Sequence, residues 1–393
     1  LSFLEDSGYL ARAAFVIDRL MAGIGLPGTA FVPLIVGFGC NVPAVMAART
    51  LASDSDRLMT IAMAPFMSCG ARLTVYALFA AAFFPQNGQN IVFALYLIGI
   101  SLAVLTGWIF RRQLFSGALT PSFQEMPAYH LPILRNLLLT TWFRLRGFTL
   151  RAGKTIVYVV VALSLLNSIG SDFSAGNEDS ENSLLSVIGK SITPAFAPMG
   201  VTDDNWPATV GIVTGLFAKE AVIGTLNSLY ANPEEEAEAW TYLGRFQEAG
   251  QSIVDNFNDL NYGDPLGIAI EEAEDVASAA EINEVDVGTM SQLSQHFSQA
   301  SAVSFMLFIL LYMPCAAAMG ALVKELGLKW ARLIGVWSTL LAYCTATIYY
   351  QAATWQQTPI SASVLLLAMV IVLSVWVLFL KRQKAEHYDT TSA

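Results

Sequence analysis

Three cysteines stand where an apolar chain is interrupted. Cys40 lies in the run Val36-Gly-Phe-Gly-Cys-Asn-Val-Pro43, Cys69 in Pro65-Phe-Met-Ser-Cys-Gly70, and Cys315 directly after Met313–Pro314. Proline and glycine break helices, and inside lipid the freed backbone groups survive only where protein or a water-filled cavity covers them. Carbonyls released there, with the sulfurs of Cys40, Cys69 and Cys315, the Asn41 amide and the Ser68 hydroxyl, make a ligand set for a cation. Soft sulfur donors suit a borderline transition metal better than sodium or magnesium. Any one cysteine also fits plain packing, because cysteine is among the most buried residue types. Cys344, in an unbroken apolar stretch, is read that way.

Ionisable groups inside a membrane are costly and face an interior partner or a pathway. Lys219–Glu220 fall within an apolar stretch and are pathway or coupling residues on that argument, with mutual pairing across neighbouring helices as the plain alternative. Glu5 and Asp6 belong to a polar lead into the first unit and could line its entrance. Enzyme motifs are missing. Gly147 to Thr155 resembles a phosphate-binding loop but has five residues where four are needed. His130, His296 and His387 are isolated, and no HExxH or paired CxxC occurs. Nothing in the chain points to hydrolysis, so it is read as a non-enzyme.

The elements that must hold these residues are membrane helices. Of 393 residues, 55% are hydrophobic and 13% charged, about half the charge of a soluble domain. Segments 58–84, 91–110, 155–169, 302–323, 331–351 and 360–380 read as spans. The net charge of −10 is segregated: 111–154 carries seven basic residues against Glu125, and 231–300 carries fifteen acidic ones against Arg245. The positive-inside rule puts 111–154 and the tail from Lys381 in the cytoplasm, with no call for nucleic acid. The acidic stretch is expected outside, as a solvated loop. The chain begins with Leu1 and shows no signal peptide, so it is read as a fragment lacking its upstream part.

Residues 25–51 and 200–226 repeat in order: Gly25, Pro33, Gly37 and Thr50–Leu51 fall on Gly200, Pro207, Gly211 and Thr225–Leu226. A Pro–Cys break follows each copy. If both units are re-entrant, as the short apolar run 31–46 favours, three spans separate them and the halves are an inverted repeat with its site near mid-membrane; a full crossing by 31–46 would make the halves parallel. The expected fold is an all-α polytopic membrane protein of about six full transmembrane helices plus two re-entrant, broken-helix units. Its parts are 1–57 (first unit, N-terminally truncated), 58–170 (three spans with the basic loop), 171–230 (outer loop and second unit), 231–300 (acidic insert), 301–381 (three spans) and 382–393 (cytoplasmic tail).

The strings LEDSGYLARAAFVIDRLM at 4–21, FVPLIVGFGCNVPAVMAARTL at 31–51, RLMTIAMAPFMSCGAR at 57–72, NWPATVGIVTGLFAKEAVIGTLNSLY at 205–230 and LLYMPCAAAMGAL at 310–322 resemble the membrane domain of the FeoB ferrous-iron transporter family. The resemblance covers nearly the whole chain apart from the acidic insert. It implies Fe²⁺ uptake across the bacterial cytoplasmic membrane, with Cys40, Cys69 and Cys315 as gate cysteines and Glu5–Asp6 as the acidic signature. It also implies an N-terminal cytosolic GTPase domain that would bring GTP and Mg²⁺, a small FeoA-type cytosolic partner, and oligomerisation. The units resemble those of nucleoside transporters too. An ion-coupled carrier of nucleosides or other organic solutes using Glu220, or a non-transporting membrane receptor or scaffold, are the alternatives.

Overall fold

The computed structural model describes residues 3, 6–51, 53–114, 129, 131–170, 183–230, 287–357 and 359–391. Among the described residues the chain is helical, apart from one isolated bridge between Gly170 and Ser183. Four runs are long and apolar enough to cross a membrane: Asp54–Phe83, Gly88–Leu114, Gln299–Ala353 and Pro359–Lys381. A fifth arises if a pair bent by 100°, Arg12–Ile24 with Gly28–Gly39, counts as one span. Helices α1 (Tyr9–Ile24), α2 (Phe31–Gly39) and α3 (Asn41–Ala47) form the first broken unit. The first run contains α4 (Asp54–Met63), a tight turn at Ala64–Phe66, and α5 (Gly70–Phe83). Next come α6 (Gly88–Leu114) and α7 (Leu134–Ser168). The second half holds α8 (Leu184–Ile192), α9 (Trp206–Phe217), α10 (Ala221–Tyr230), α11 (Val287–His296), α12 (Gln299–Leu311), α13 (Ala316–Ala353) and α14 (Pro359–Thr391).

The run Gln299–Ala353 has 55 residues, far more than the roughly 20 that one crossing needs. It turns at Gly327, where φ 81 and ψ 166 lie in a region only glycine enters freely. Nothing stands within 4 Å of a Cβ built there, so backbone conformation alone requires the glycine. The turn falls between the two expected spans 302–323 and 331–351. The expected span 155–169 is different. It is the end of the 35-residue α7, which is not among the four apolar runs and extends back through half of the expected loop 111–154. Leucine and arginine are both strong helix formers, and nothing in 134–154 stops a helix, so basic character marked a membrane side without marking a loop. The near-match to a phosphate loop at 147–155 lies inside this helix. Most of the acidic insert lies outside the described residues, but its last part forms α11.

The first unit enters and leaves on one side. Helix α2 has nine residues and α3 seven; at 1.5 Å per residue these are about 14 and 10 Å, less than half of a ~30 Å hydrocarbon layer. Both ends of the unit meet Arg111. A Cβ on Gly25 would stand 3.2 Å from Arg111 Cγ, and the Asp56 carboxylate lies 3.8 Å from the Arg111 guanidinium. Arg49 pairs with Glu325 in a fork, Nε donating to Oε2 at 2.7 Å. All four charged residues lie on the side that the basic loop marks as cytoplasmic.

The second unit is tied at the other end. The Tyr230 hydroxyl, closing α10, donates to Asn205 Oδ1 before α9, and Asn205 Nδ2 donates to the His296 carbonyl at 3.2 Å. Gln351 Nε2 donates to the Pro198 carbonyl at 2.9 Å. Glu325 and Gln351 bracket the outgoing arm of α13, which is about 40 Å long. The two units therefore hang from opposite ends of that arm, as inverted repeats do. A left-handed glycine precedes the broken helix pair in each unit, Gly25 (φ 87) before α2 and α3 and Gly200 (φ 88) before α9 and α10.

The repeat register needs one correction. Counted back from the breaks at Cys40 and Ala218, Gly37 is level with Gly215 rather than Gly211. Gly37 packs against Met67, 3.1 Å from its would-be Cβ, and Gly215 against the Tyr312 ring, each residue standing at the following break. Helix α9 has twelve residues against the nine of α2, close to one extra turn. A slip of one turn keeps the same apolar face, so the pattern could not reveal it.

Candidate functional site

Four interruptions meet in the interior. Cys40 is extended (φ −156, ψ 131) between α2 and α3. Met67–Cys69 separates the turn at Ala64–Phe66 from α5. Tyr312–Cys315 separates α12 from α13, and Ala218–Glu220 separates α9 from α10. In the first unit Gly37 and Gly39 remain helical, so Cys40 alone carries the break. Cys40, Cys69 and Cys315 are the N-cap residues of α3, α5 and α13, and none of the three uses its side chain as a cap. All three are half-buried, whereas Cys344 is fully buried in α13.

The breaks lie close together. The Gly39 carbonyl would be 3.9 Å from a Cβ on Gly70, which brings the end of α2 beside the start of α5. Cys69, Cys315 and Glu220 are within electrostatic range of the Cys40 thiol. Asn41 and Ser68 are 6% and 1% exposed, and their Oδ1 and Oγ atoms have no hydrogen-bond partner among the described residues. Broken helices in lipid leave such groups to be met by water or by a passing solute.

Two cations hold this centre: Lys219, a pathway candidate in the sequence, and Arg72, which the sequence did not single out. Arg72, fully buried, donates from Nη1 to the carbonyls of Pro65 (2.7 Å) and Met67 (3.3 Å), and from Nη2 to that of Tyr312 (3.4 Å). It binds the carbonyls freed at one break in each half. The only signal for it was a lone arginine inside the expected span 58–84, three residues after Cys69. Lys219 is 2% exposed, and its Nζ stands 2.8 Å from the Tyr312 ring centre without a hydrogen-bond partner among the described residues. Burying an unpaired ammonium costs several kcal/mol. A desolvated cation–ring contact returns about 2 kcal/mol, so the fold alone gives little reason to keep this lysine.

The remaining expected residues divide. Lys219 and Glu220 do not pair: the lysine turns inward beneath Tyr312, and Glu220 is exposed. Asp6 is half-buried just before α1, with no ion pair to the breaks among the described residues. Glu5 lies outside the described residues. Among those described, no three His, Cys, Asp or Glu side chains stand close enough to hold a metal ion. The three thiols thus stand at neighbouring breaks without forming a closed coordination shell among the described residues. Lys219 lies against Tyr312, the first residue of the break that ends at Cys315, with Arg72, Cys69 and Cys315 within electrostatic range.

A helical membrane protein built on two oppositely facing broken-helix units is a gate-type protein. The chain matches the Gate (nucleoside recognition) family over residues 1–83 and 149–329, one stretch for each unit. It also matches the ferrous iron transport protein B C-terminal family over 92–144, the segment between them. The chain belongs to the gate family, in the branch that carries this FeoB segment. Similar proteins include the Fe(2+) transporter FeoB of Legionella pneumophila (strain Lens), 49% identical over 94% of this chain and 49% of its own length. The Fe(2+) transporters FeoB of Escherichia coli (strain K12) and Salmonella typhimurium (strain LT2) are each 46% identical, over 98% and 99% of this chain and 50% of their own. The chain spans about half the length of these curated relatives. No solved structure matches it.

Proposed function

We propose that this chain forms the membrane path for ferrous iron in a FeoB transporter of the bacterial cytoplasmic membrane. What supports the reading is the placement of three free, half-buried thiols at helix breaks that adjoin one another in the interior. Fe²⁺ would shed water for the sulfurs of Cys40, Cys69 and Cys315, the Asn41 and Ser68 oxygens, and carbonyls at the breaks. Arg72 already takes one lone pair of the Pro65, Met67 and Tyr312 carbonyls, so the thiol, amide and hydroxyl groups are the stronger candidates for ligands. Because the thiols do not form a closed shell here, passage requires the units to shift. That motion would be driven by a GTPase domain, with GTP and Mg²⁺ bound there, joined to or acting on the basic cytoplasmic side. A FeoA-type protein would act on the same side, and assembly into homo-oligomers is part of this reading.

The test is ⁵⁵Fe(II) uptake by cells expressing the full-length protein. Uptake that a membrane-impermeant Fe²⁺ chelator abolishes and excess nucleoside leaves unchanged supports the reading. Uptake of nucleosides that is indifferent to chelation contradicts it.

A further inference from the structure

We propose that Lys219 is a tethered cation that closes the path: its ammonium, held on the Tyr312 ring at the break that ends at Cys315, stands where a passing cation must cross. This rests on reading the breaks as a cation path, but not on iron being the cargo.

The geometry favours this over packing. Lys219 lies in the turn Ala218–Glu220, the break of the second unit. Its side chain is 2% exposed, yet among the described residues its nitrogen has no hydrogen-bond partner and meets the face of the Tyr312 ring at 2.8 Å. Tyr312 is itself the first residue of the break ending at Cys315, and its hydroxyl donates weakly back to the Ile212 carbonyl at 3.5 Å. Gly215 leaves room for that ring, since a side chain there would strike the hydroxyl. The lysine is therefore clamped to the opposing break by a contact that a few ångströms of movement would release. The first unit has Asn41 at the corresponding position, one residue after its break. One gate thus offers a neutral ligand and the other a fixed charge. A fixed ammonium repels any cation entering between the thiols and withdraws when the two breaks separate, so closure and the resting arrangement of the breaks are one state.

The experiment uses the full-length protein in membranes, in a background with Cys40 and Cys344 replaced by Ala. Methanethiosulfonates form a mixed disulfide with a thiolate and expel a sulfinate, and they come in cationic trimethylammonium-ethyl and neutral methyl forms of known intrinsic rate. The readout is the ratio of cationic to neutral modification rates at Cys69 and Cys315. Lys219→Met is expected to raise that ratio by about tenfold or more, the scale set by one unit charge a few ångströms away in a protein dielectric. Lys219→Arg should leave it near the unchanged protein. If Lys219→Met does not reach the membrane, Tyr312→Leu, which removes the ring that holds the ammonium, should raise the ratio while Tyr312→Phe does not. Equal acceleration of both reagents, or an unchanged ratio in the neutral variants, overturns the proposal. Loss of iron uptake specificity would leave it standing, and failure of the ratio test would leave the iron reading standing.

Discussion

Arg72 donates a hydrogen bond across the repeat to the carbonyl of Tyr312, 240 residues later, at 3.4 Å. Its other nitrogen holds the carbonyls of Pro65 and Met67. One buried guanidinium thus stabilises a break from each half, and Tyr312 presents its carbonyl to Arg72 and its ring to Lys219.

Removing Arg72 leaves three carbonyls without their donors. Arg72→Met should cost on the order of 3 kcal/mol or more, since each unmet buried group costs about 1–3 kcal/mol. For a chain of 393 residues that is roughly a 4 °C lower unfolding temperature in detergent. Arg72→Lys, a point charge that cannot reach both sets of carbonyls, should recover less than half. Tryptophan-fluorescence melting checks this, and an unchanged melting temperature for Arg72→Met contradicts the bridging role.

The Arg49–Glu325 pair joins the cytoplasmic end of the first unit to the turn at Gly327. Its side chains are 46% and 7% exposed, so the fork is only partly screened. A double-mutant cycle with Arg49→Ala and Glu325→Ala should show a coupling of about 0.5–1.5 kcal/mol that shrinks in high salt. Strictly additive effects would remove the pair as a link.

Gly327 and Gly320 both lie within α13 and both have open space at a would-be Cβ, but only Gly327 has positive φ. Gly327→Ala should therefore destabilise by about 1–3 kcal/mol. Gly320→Ala should be neutral or stabilising by up to about 1 kcal/mol. Melting curves of the two variants separate a backbone requirement from a spatial one; equal shifts would refute it.

Opposite orientation of the units predicts opposite labelling. In intact cells with the natural cysteines replaced, Ser53→Cys should react only with a membrane-permeant maleimide. Thr202→Cys should react with an impermeant one. Labelling of both positions from the same side would rule out inversion.

The breaks at Cys40, Met67–Cys69 and Tyr312–Cys315 were legible because proline, glycine and cysteine interrupt apolar runs, and the sidedness of the units because basic residues segregate. The partners of Arg72 and Lys219 were not. A charge in an apolar stretch announces cost, but which carbonyl or ring offsets it depends on contacts more than two hundred residues apart in the chain. The register of the second unit was hidden for a different reason, since a one-turn extension of α9 preserves its apolar face. Helix α7 was hidden by its own charges, which mark a membrane side and favour helix equally.

The central claim is that the thiols at the breaks carry the cargo. It is tested most directly by ⁵⁵Fe(II) uptake through the full-length protein, normalised to protein in the membrane, for Cys40→Ser, Cys69→Ser, Cys315→Ser and Cys344→Ser. Each of the first three should lose about tenfold or more, the scale of losing a metal-site contact, while Cys344→Ser retains uptake. Uptake at the unchanged level in all three break variants would contradict the account.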